Sequence, residues 1–325
     1  MNPLRRIGCL FLLLSCSWFF QLAPVHAQAA APAGIVQDDA WWTGPMLANS
    51  AETLPQGHVL IEPYLYDIMA EHSNSYGSRT YMNYGLVDRL TVGIIPIFGY
   101  NQVDHGPNSS GVLVGDFTVQ AQYRLTKFHE GSWIPTIAIQ LQQSFPTGKY
   151  DQLGNRPSNG IGSGAYETNL GINAQTYFRM PNRRLLRLRL NVSETFSSHV
   201  NVNGVSVYGT GSNFRGTVEP GNSTFVDTSV EYSLTQRWVL ALDAIYSRGR
   251  NTTINGVDFL STSSGLPDPP RIHSTGGASE AFGYAPAVEY SWTSSLGVLL
   301  GVRVIAGGHN TERTVTPAVA INYVN

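Results

Sequence analysis

Cysteine is almost absent from this sequence, and both of its cysteines lie near the start. Cys9 and Cys16 stand within an apolar stretch that we expect to be removed from the mature protein. The mature chain would then contain no thiol, which excludes disulfide bonds and thiolate metal sites. Charged residues are scarce as well: they make up 13% of the chain, about half of what soluble domains usually carry. The formal net charge of -2 gives no reason to expect nucleic acid as a partner.

A single long apolar run occurs, and it stands at the beginning. Arg5 and Arg6 precede the run IGCLFLLLSCSWFFQLA, and the small-residue sequence VHA follows it and ends at Ala27. This order is typical of a secretory signal peptide, so we predict that residues 1–27 form one. A membrane anchor fits less well, because the run is short and no stop-transfer charges follow it. A lipoprotein site at Cys16 also fits less well, because the apolar run continues past that residue.

The remainder is rich in glycine, tyrosine and strictly alternating segments such as FTVQAQYRL, residues 117–125. A period of two indicates strands with unlike faces, and we find no convincing amphipathic helix. About 12 strands are predicted between turn signals. Their ranges are 58–68, 78–86, 89–100, 114–125, 133–145, 165–178, 185–197, 224–234, 237–248, 279–292, 296–306 and 313–324.

The connections between these strands alternate between short and long, polar ones, as they do in bacterial outer-membrane barrels. The apolar face of the strands also carries aromatic residues near both ends and aliphatic residues between them. Two aromatic rings around an aliphatic band are typical of a membrane-spanning barrel, because aromatic side chains favour the headgroup zone. We therefore predict that residues 57–325 form an all-β, transmembrane, antiparallel up-and-down β-barrel in the outer membrane of a Gram-negative bacterium.

The other face of the strands is too polar for a dry core, because each unpaired buried charge would cost several kcal/mol. We therefore expect it to line the lumen and the path of a solute. The charged residues of this face are Glu62, Asp116, Arg124, Glu167, Arg187, Arg189, Asp227, Glu231, Asp243, Glu289 and Arg303. Arg187 and Arg189 form one inward row, which could create a transverse field that orients solutes or could form salt bridges that hold the barrel round.

Residues 28–56 do not resemble a strand and are predicted to form an irregular N-terminal segment. The segment could enter the lumen from below as a partial plug, or it could hang in the periplasm. Trp41 and Trp42 favour the first alternative, since two exposed tryptophans would be costly.

Several segments resemble one family of outer-membrane β-barrel proteins, the transporters of the MetA-pathway of phenol degradation. The similar segments are WWTGPMLANSAETLPQGHVLIEPYLYD (41–67), YGLVDRLTVGI (84–94), FPTGKY (145–150), YAPAVEYSWTSSLGVLLGV (284–302) and TPAVAINYV (316–324). The resemblance implies a barrel encoded with degradation pathways, which admits aromatic or hydrophobic compounds. Such barrels commonly end in an aromatic residue that the insertion machinery recognises. Asn325 occupies that place here, and Tyr323 lies on the lipid-facing side two residues earlier.

Catalytic chemistry is not indicated by the sequence. The segment RPSNG, residues 156–160, partly resembles a membrane phospholipase pattern, but Arg156 stands where the general base would be. The histidines are dispersed and predict no metal site. No cofactor and no energy-coupling motif are indicated either.

The predicted function is passive uptake of small solutes, with membrane lipid and barrel-insertion machinery as the other partners. About 12 strands should leave a narrow bore, between those of 8-stranded barrels and 16-stranded porins. A structural or adhesive barrel that acts through its long outer loops is the first alternative, and an outer-membrane hydrolase is the second.

Overall fold

The computed structural model describes residues 40–42, 44–259 and 270–325. The predicted signal peptide lies outside these residues, as do residues 28–39 of the predicted irregular segment. The strands are β1 (Val59–Met69), β2 (Ser73–Val87), β3 (Leu90–Ile95), β4 (Ile97–Val103), β5 (Leu113–Val114), β6 (Phe117–Thr126), β7 (Thr136–Phe145), β8 (Glu167–Arg179), β9 (Leu185–Ser197), β10 (Val200–Asn203), β11 (Phe214–Glu219), β12 (Ser223–Ser233), β13 (Trp238–Gly249), β14 (Thr253–Asp258), β15 (Arg271–Thr275), β16 (Ser279–Ser291), β17 (Leu296–His309) and β18 (Thr314–Val324). A single turn of 3-10 helix spans Pro157–Asn159.

The large sheet closes on itself into a barrel. Its strands follow the order β1-β18-β17-β16-β13-β12-β9-β8-β7-β6-β3-β2, and β1 also pairs with β2. Every pairing is antiparallel, and β3 and β4 act as one wall strand, so the barrel has 12 strands. The prediction of a closed up-and-down barrel is confirmed. Closure pairs the backbone N–H and C=O groups of the edge strands with each other. Lipid could not form hydrogen bonds with these groups.

One wall strand is interrupted at Pro96, which has no backbone N–H to donate. Below this residue β3 pairs with β6, and above it β4 pairs with the short strand β5. Gly115 N donates to Ile97 O at 2.8 Å, so the wall remains continuous beside the interruption. The bend places this part of the wall next to a cavity that is described below.

The aliphatic face of the strands points away from the barrel. The side chains of Ile139 and Leu240 are 47% and 46% exposed, whereas Arg187 on the other face is only 1% exposed. Aromatic side chains such as Trp238 and Phe282 are exposed near the two ends of the wall. The apolar belt therefore faces lipid and the polar residues face inward, as the alternation predicts. No helix among the described residues has the length and apolarity needed to cross a bilayer.

The long connections contain more structure than the sequence suggested. We predicted polar loops after β9 and β13, but β10, β11, β14 and β15 form a second antiparallel sheet. Val202, Phe214, Val218 and Ile254 contribute to its own apolar core. Each strand of this sheet has six residues or fewer, so its alternation is too brief to detect in tracts rich in glycine and asparagine.

Candidate functional site

The inner segment, which we define as residues 44–56, runs inside the barrel. The side chains of Met46, Leu47 and Ala48 are fully buried. The backbone N–H groups of Leu47 and Ala48 donate to the two carboxylate oxygens of Asp243, each at 3.2 Å. This segment has no regular secondary structure of its own, so its polar backbone groups bond to side chains of the wall.

These contacts follow the inner segment from one side of the barrel to the other. Gly44 N donates to Glu289 Oε2 on β16 at 2.8 Å, and Leu54 N donates to Thr91 Oγ1 on β3 at 2.8 Å. Between them, Ser50 Oγ donates to Gln175 Oε1 on β8 at 3.0 Å. The segment therefore crosses the bore instead of following one strand.

The second half of the inner segment is anchored by a charge. Glu52 accepts a hydrogen bond from Arg124 Nη1 of β6 at 2.8 Å, and both side chains are largely shielded from solvent. Gln122 donates to the carbonyl oxygens of Ser50 and Glu52. Glu52 was not among the residues predicted from strand alternation, because it precedes the first strand.

Arg187 and Arg189 both make ion pairs with the neighbouring strand β12. Both guanidinium groups contact Glu231, which is the cross-strand partner of Arg187. Arg189 Nη1 also donates to the carbonyl oxygen of Ala48 at 2.8 Å, so this pair of strands helps to hold the inner segment. A buried pair of charges is tolerated when such hydrogen bonds offset the loss of water.

The tryptophans near the inner segment also contact arginine. The guanidinium carbon of Arg187 lies 4.4 Å from the centre of the Trp42 ring, and Trp42 is buried. The corresponding distance between Arg237 and Trp41 is 5.6 Å. Cation–π contacts of this kind are strongest where water is excluded, as it is at Trp42.

The predicted lumen residues fall into two groups in the structure. The first group is mostly buried inside the barrel, and Arg124, Arg189, Asp243 and Glu289 among its members bond to the inner segment. The group comprises Glu62, Arg124, Arg187, Arg189, Asp227, Glu231, Asp243, Glu289 and Arg303. Asp227 differs from its neighbours, because both of its buried carboxylate oxygens accept no hydrogen bond from the described residues. The second group, Asp116 and Glu167, lies nearer the outer end of the barrel.

A cavity of about 200 Å³ lies between the inner segment and the outer loops. We call it the outer cavity. Asn49 of the inner segment contributes to its lining on one side, and residues 160–163 contribute on the other. Arg79 also lines it but was not predicted, because Arg79 stands at the weakly alternating start of β2, in SNSYGSRTY.

Asp116 holds the loop that lies over the outer cavity. Its carboxylate accepts hydrogen bonds from Gly148 N at 2.9 Å and from Ser163 N and Oγ at 2.7 and 2.9 Å. The hydroxyl group of Tyr208 donates to the carbonyl oxygen of Ser163 at 2.5 Å. Burial raises the pKa of Tyr208 far above its ordinary value. The loop is thus bound to the wall from below and to the second sheet from above.

The described residues contain no group of three or more histidine, cysteine, aspartate or glutamate side chains arranged to hold a metal ion.

Residues 44–315 match the model of the family described as "Putative MetA-pathway of phenol degradation". The chain belongs to this family. The match begins at the first residue of the inner segment and continues through most of the barrel, so the family model includes both parts. No curated protein is detectably related to the chain by sequence.

Three solved structures are similar to this chain at low sequence identity. The COG4313 outer membrane channel from Pseudomonas putida F1 is 15% identical, with a TM-score of 0.60 over 85% of this chain and 98% of that one. The NanC porin is 10% identical, with a TM-score of 0.43 over 81% of this chain and 98% of that one. The KdgM porin in complex with disordered oligogalacturonate is 9% identical, with a TM-score of 0.44 over 81% of this chain and 98% of that one. The first of these shows that the whole barrel fold recurs in another member of the outer-membrane class.

Proposed function

We propose that this protein is an outer-membrane channel for the passive uptake of small solutes, and that the inner segment restricts passage. The observation that carries the proposal is the course of residues 44–56 across the bore, with bonds to β16, β13, β8 and β3. A segment that crosses the lumen of a channel narrows the path and so limits the size of the solutes that can pass.

Two further observations support a path for solutes. The outer cavity leaves space above the inner segment, and polar side chains such as Gln142 and Thr118 line it. The similar structure from Pseudomonas putida F1 is described as an outer membrane channel. The family description names phenol degradation, so we propose aromatic or hydrophobic compounds as the solutes.

The test is transport through the purified protein in planar bilayers and proteoliposomes. We expect the intact protein to give a small conductance and to pass small aromatic alcohols but not disaccharides. A variant that lacks residues 40–54 should give a larger conductance and admit the disaccharides, because the lumen is then free of the inner segment. Equal solute fluxes in both proteins, or no flux in either, would overturn the proposal.

An adhesive role is the second candidate, because the outer loops form a folded sheet with its own core around Phe214 and Val218. Such a sheet can present a fixed surface to a partner. If adhesion is the main function, removal of β11 and β14 should abolish attachment of cells to surfaces and leave solute flux unaffected. The channel proposal expects solute flux through the barrel whether or not attachment is lost.

A further inference from the structure

The outer cavity is enclosed on two sides by parts of the chain that are held in place. Asn49 of the inner segment lines it, and Asn49 Nδ2 donates to Gln140 Oε1 of the wall at 3.0 Å. Ile161 and Ser163 line it from the loop that Asp116 binds. A solute that passes through the barrel would therefore pause in a chamber instead of crossing an open pore.

The volume of the chamber limits the size of its occupant. An engineered protein cavity of about 150 Å³ binds benzene, so the outer cavity, at about 200 Å³, suits one six-membered ring with a small substituent. Two fused rings would fill this volume more completely, so we expect them to bind more weakly than one ring.

The lining of the chamber has a polar side and an apolar side. Arg79 on β2 and Glu167 on β8 both line it and interact electrostatically with each other. Ile97 and Ile161 also line it. The side chain of Ile97 and the backbone carbonyl oxygen of Ile161 both lie near Gly115, at the bend of the wall. Tyr66 and Tyr81 complete the wall next to Arg79.

These groups discriminate between classes of solute. An arginine can only donate hydrogen bonds and a carboxylate can only accept them, so together they suit a hydroxyl group, which does both. A solute carboxylate would meet two carboxylates, Glu167 and Asp116, against one guanidinium group, Arg79, so the lining disfavours a negatively charged solute. A pure hydrocarbon would offer no hydrogen bond to either Arg79 or Glu167.

We propose that the outer cavity is a binding site for a single-ring solute that carries a hydroxyl group and no negative charge. The inference rests on the proposed function in so far as it identifies the solute of the channel. The ring lies against Ile97 and Ile161, and the hydroxyl group accepts from Arg79 and donates to Glu167.

The experiment measures binding of four probes to the full-length mature protein in lipid nanodiscs, with empty nanodiscs subtracted. Benzyl alcohol should bind, whereas toluene, benzoate and naphthalene methanol should each bind about tenfold more weakly or not at all. For toluene this corresponds to the loss of about one hydrogen bond. For benzoate the reason is its negative charge, and for naphthalene methanol it is the lack of space. Equal binding of benzyl alcohol and toluene would overturn the assignment of the polar side. Equal binding of naphthalene methanol would overturn the size limit.

Two variants locate the site. Arg79→Met and Glu167→Gln should each weaken the binding of benzyl alcohol by about tenfold. Arg248→Met is the matched control for the first variant, because Arg248 lies near the outer end of the barrel with an exposed side chain, and it should bind like the parent protein. If Arg79→Met does not fold, Glu167→Gln alone tests whether the probe binds in the outer cavity, since the amide keeps the shape of the carboxylate. Unchanged binding in the folded variants would show that the probe binds elsewhere.

The binding site and the channel function can be refuted independently of each other. Transport of aromatic alcohols without saturable binding would overturn the site but leave the channel intact. Saturable, Glu167-dependent binding without transport by either the intact or the truncated protein would keep the site and overturn the channel.

Discussion

Replacing Asp243 with alanine should release the inner segment from its wall. The carboxylate accepts the backbone N–H groups of Leu47 and Ala48, and all three residues are buried. A hydrogen bond to a charged group contributes about 1.5–3 kcal/mol, so two of them contribute about 3–6 kcal/mol. Both bonds are 3.2 Å long, which favours the lower end of this range. About 3 kcal/mol corresponds to an increase of about 100-fold in the population of the released segment.

A thiol at position 50 would measure this population. Ser50 is 1% exposed, cysteine has nearly the same shape, and the native cysteines both lie in the predicted signal peptide. Alkylation of Ser50→Cys should therefore require release of the segment, and its rate should report the released fraction when release is rapid and reversible. We expect the thiol of the double variant with Asp243→Ala to react about 100-fold faster than that of Ser50→Cys alone.

Asp227 provides the matched control. It is a buried aspartate of the adjacent strand β12, but its carboxylate oxygens bond to no described N–H group. Asp227→Ala removes no bond to the segment and takes a like charge away from Asp243, so it should not accelerate the reaction of Ser50→Cys. An equal acceleration by both alanine variants would show that net charge, and not the bonds to Leu47 and Ala48, holds the segment. Unchanged rates in both would refute the reasoning about Asp243.

Three further changes test other parts of the structure. Leu242→Arg places a charge in the middle of the lipid-facing belt, between Trp238 and Tyr246 of the same strand, and should lower the free energy of unfolding by about 2–4 kcal/mol in urea titrations of vesicle-inserted protein. An unchanged midpoint would mean that this face does not meet hydrocarbon. Trp42→Ala removes the ring beside Arg187, and a desolvated cation–π contact contributes about 1–2 kcal/mol. We therefore expect alkylation of the thiol at position 50 to become about tenfold faster. An unaltered rate would show that this contact does not stabilise the inner segment. Tyr208 stays neutral in the fold because burial raises its pKa, but the unfolded phenol ionises near pH 10, so the outer sheet should lose stability as the pH rises above about 10. The rate of proteolysis of the outer loops as a function of pH measures this loss of stability, and the loss should be smaller in Tyr208→Phe. An identical pH profile in the variant would show that ionisation of Tyr208 is not its cause.

Much of the wall could be predicted from the sequence, because alternation is a local property. In FTVQAQYRL every second residue meets lipid, and the pattern of Leu240 and Leu242 against Asp243 carries the same information. Bilayer hydrocarbon acts on each strand separately, so each strand has to satisfy it with its own residues. Even the end of β18 follows this rule, since Tyr323 is exposed and Asn322 is buried.

The interior was decided by contacts between residues that are distant along the chain. Alternation identifies Asp243 as inward, but it does not reveal that the partner is Leu47, which is 196 residues away. Pairing of Arg187 with Glu231 depends on the register between β9 and β12, and the position of Arg79 beside Glu167 depends on barrel closure. Local sequence thus determined which side of each strand meets lipid, because the membrane acts on strands individually. Only the tertiary structure decided what fills the bore, because hydrogen bonds inside a closed barrel join residues from opposite walls.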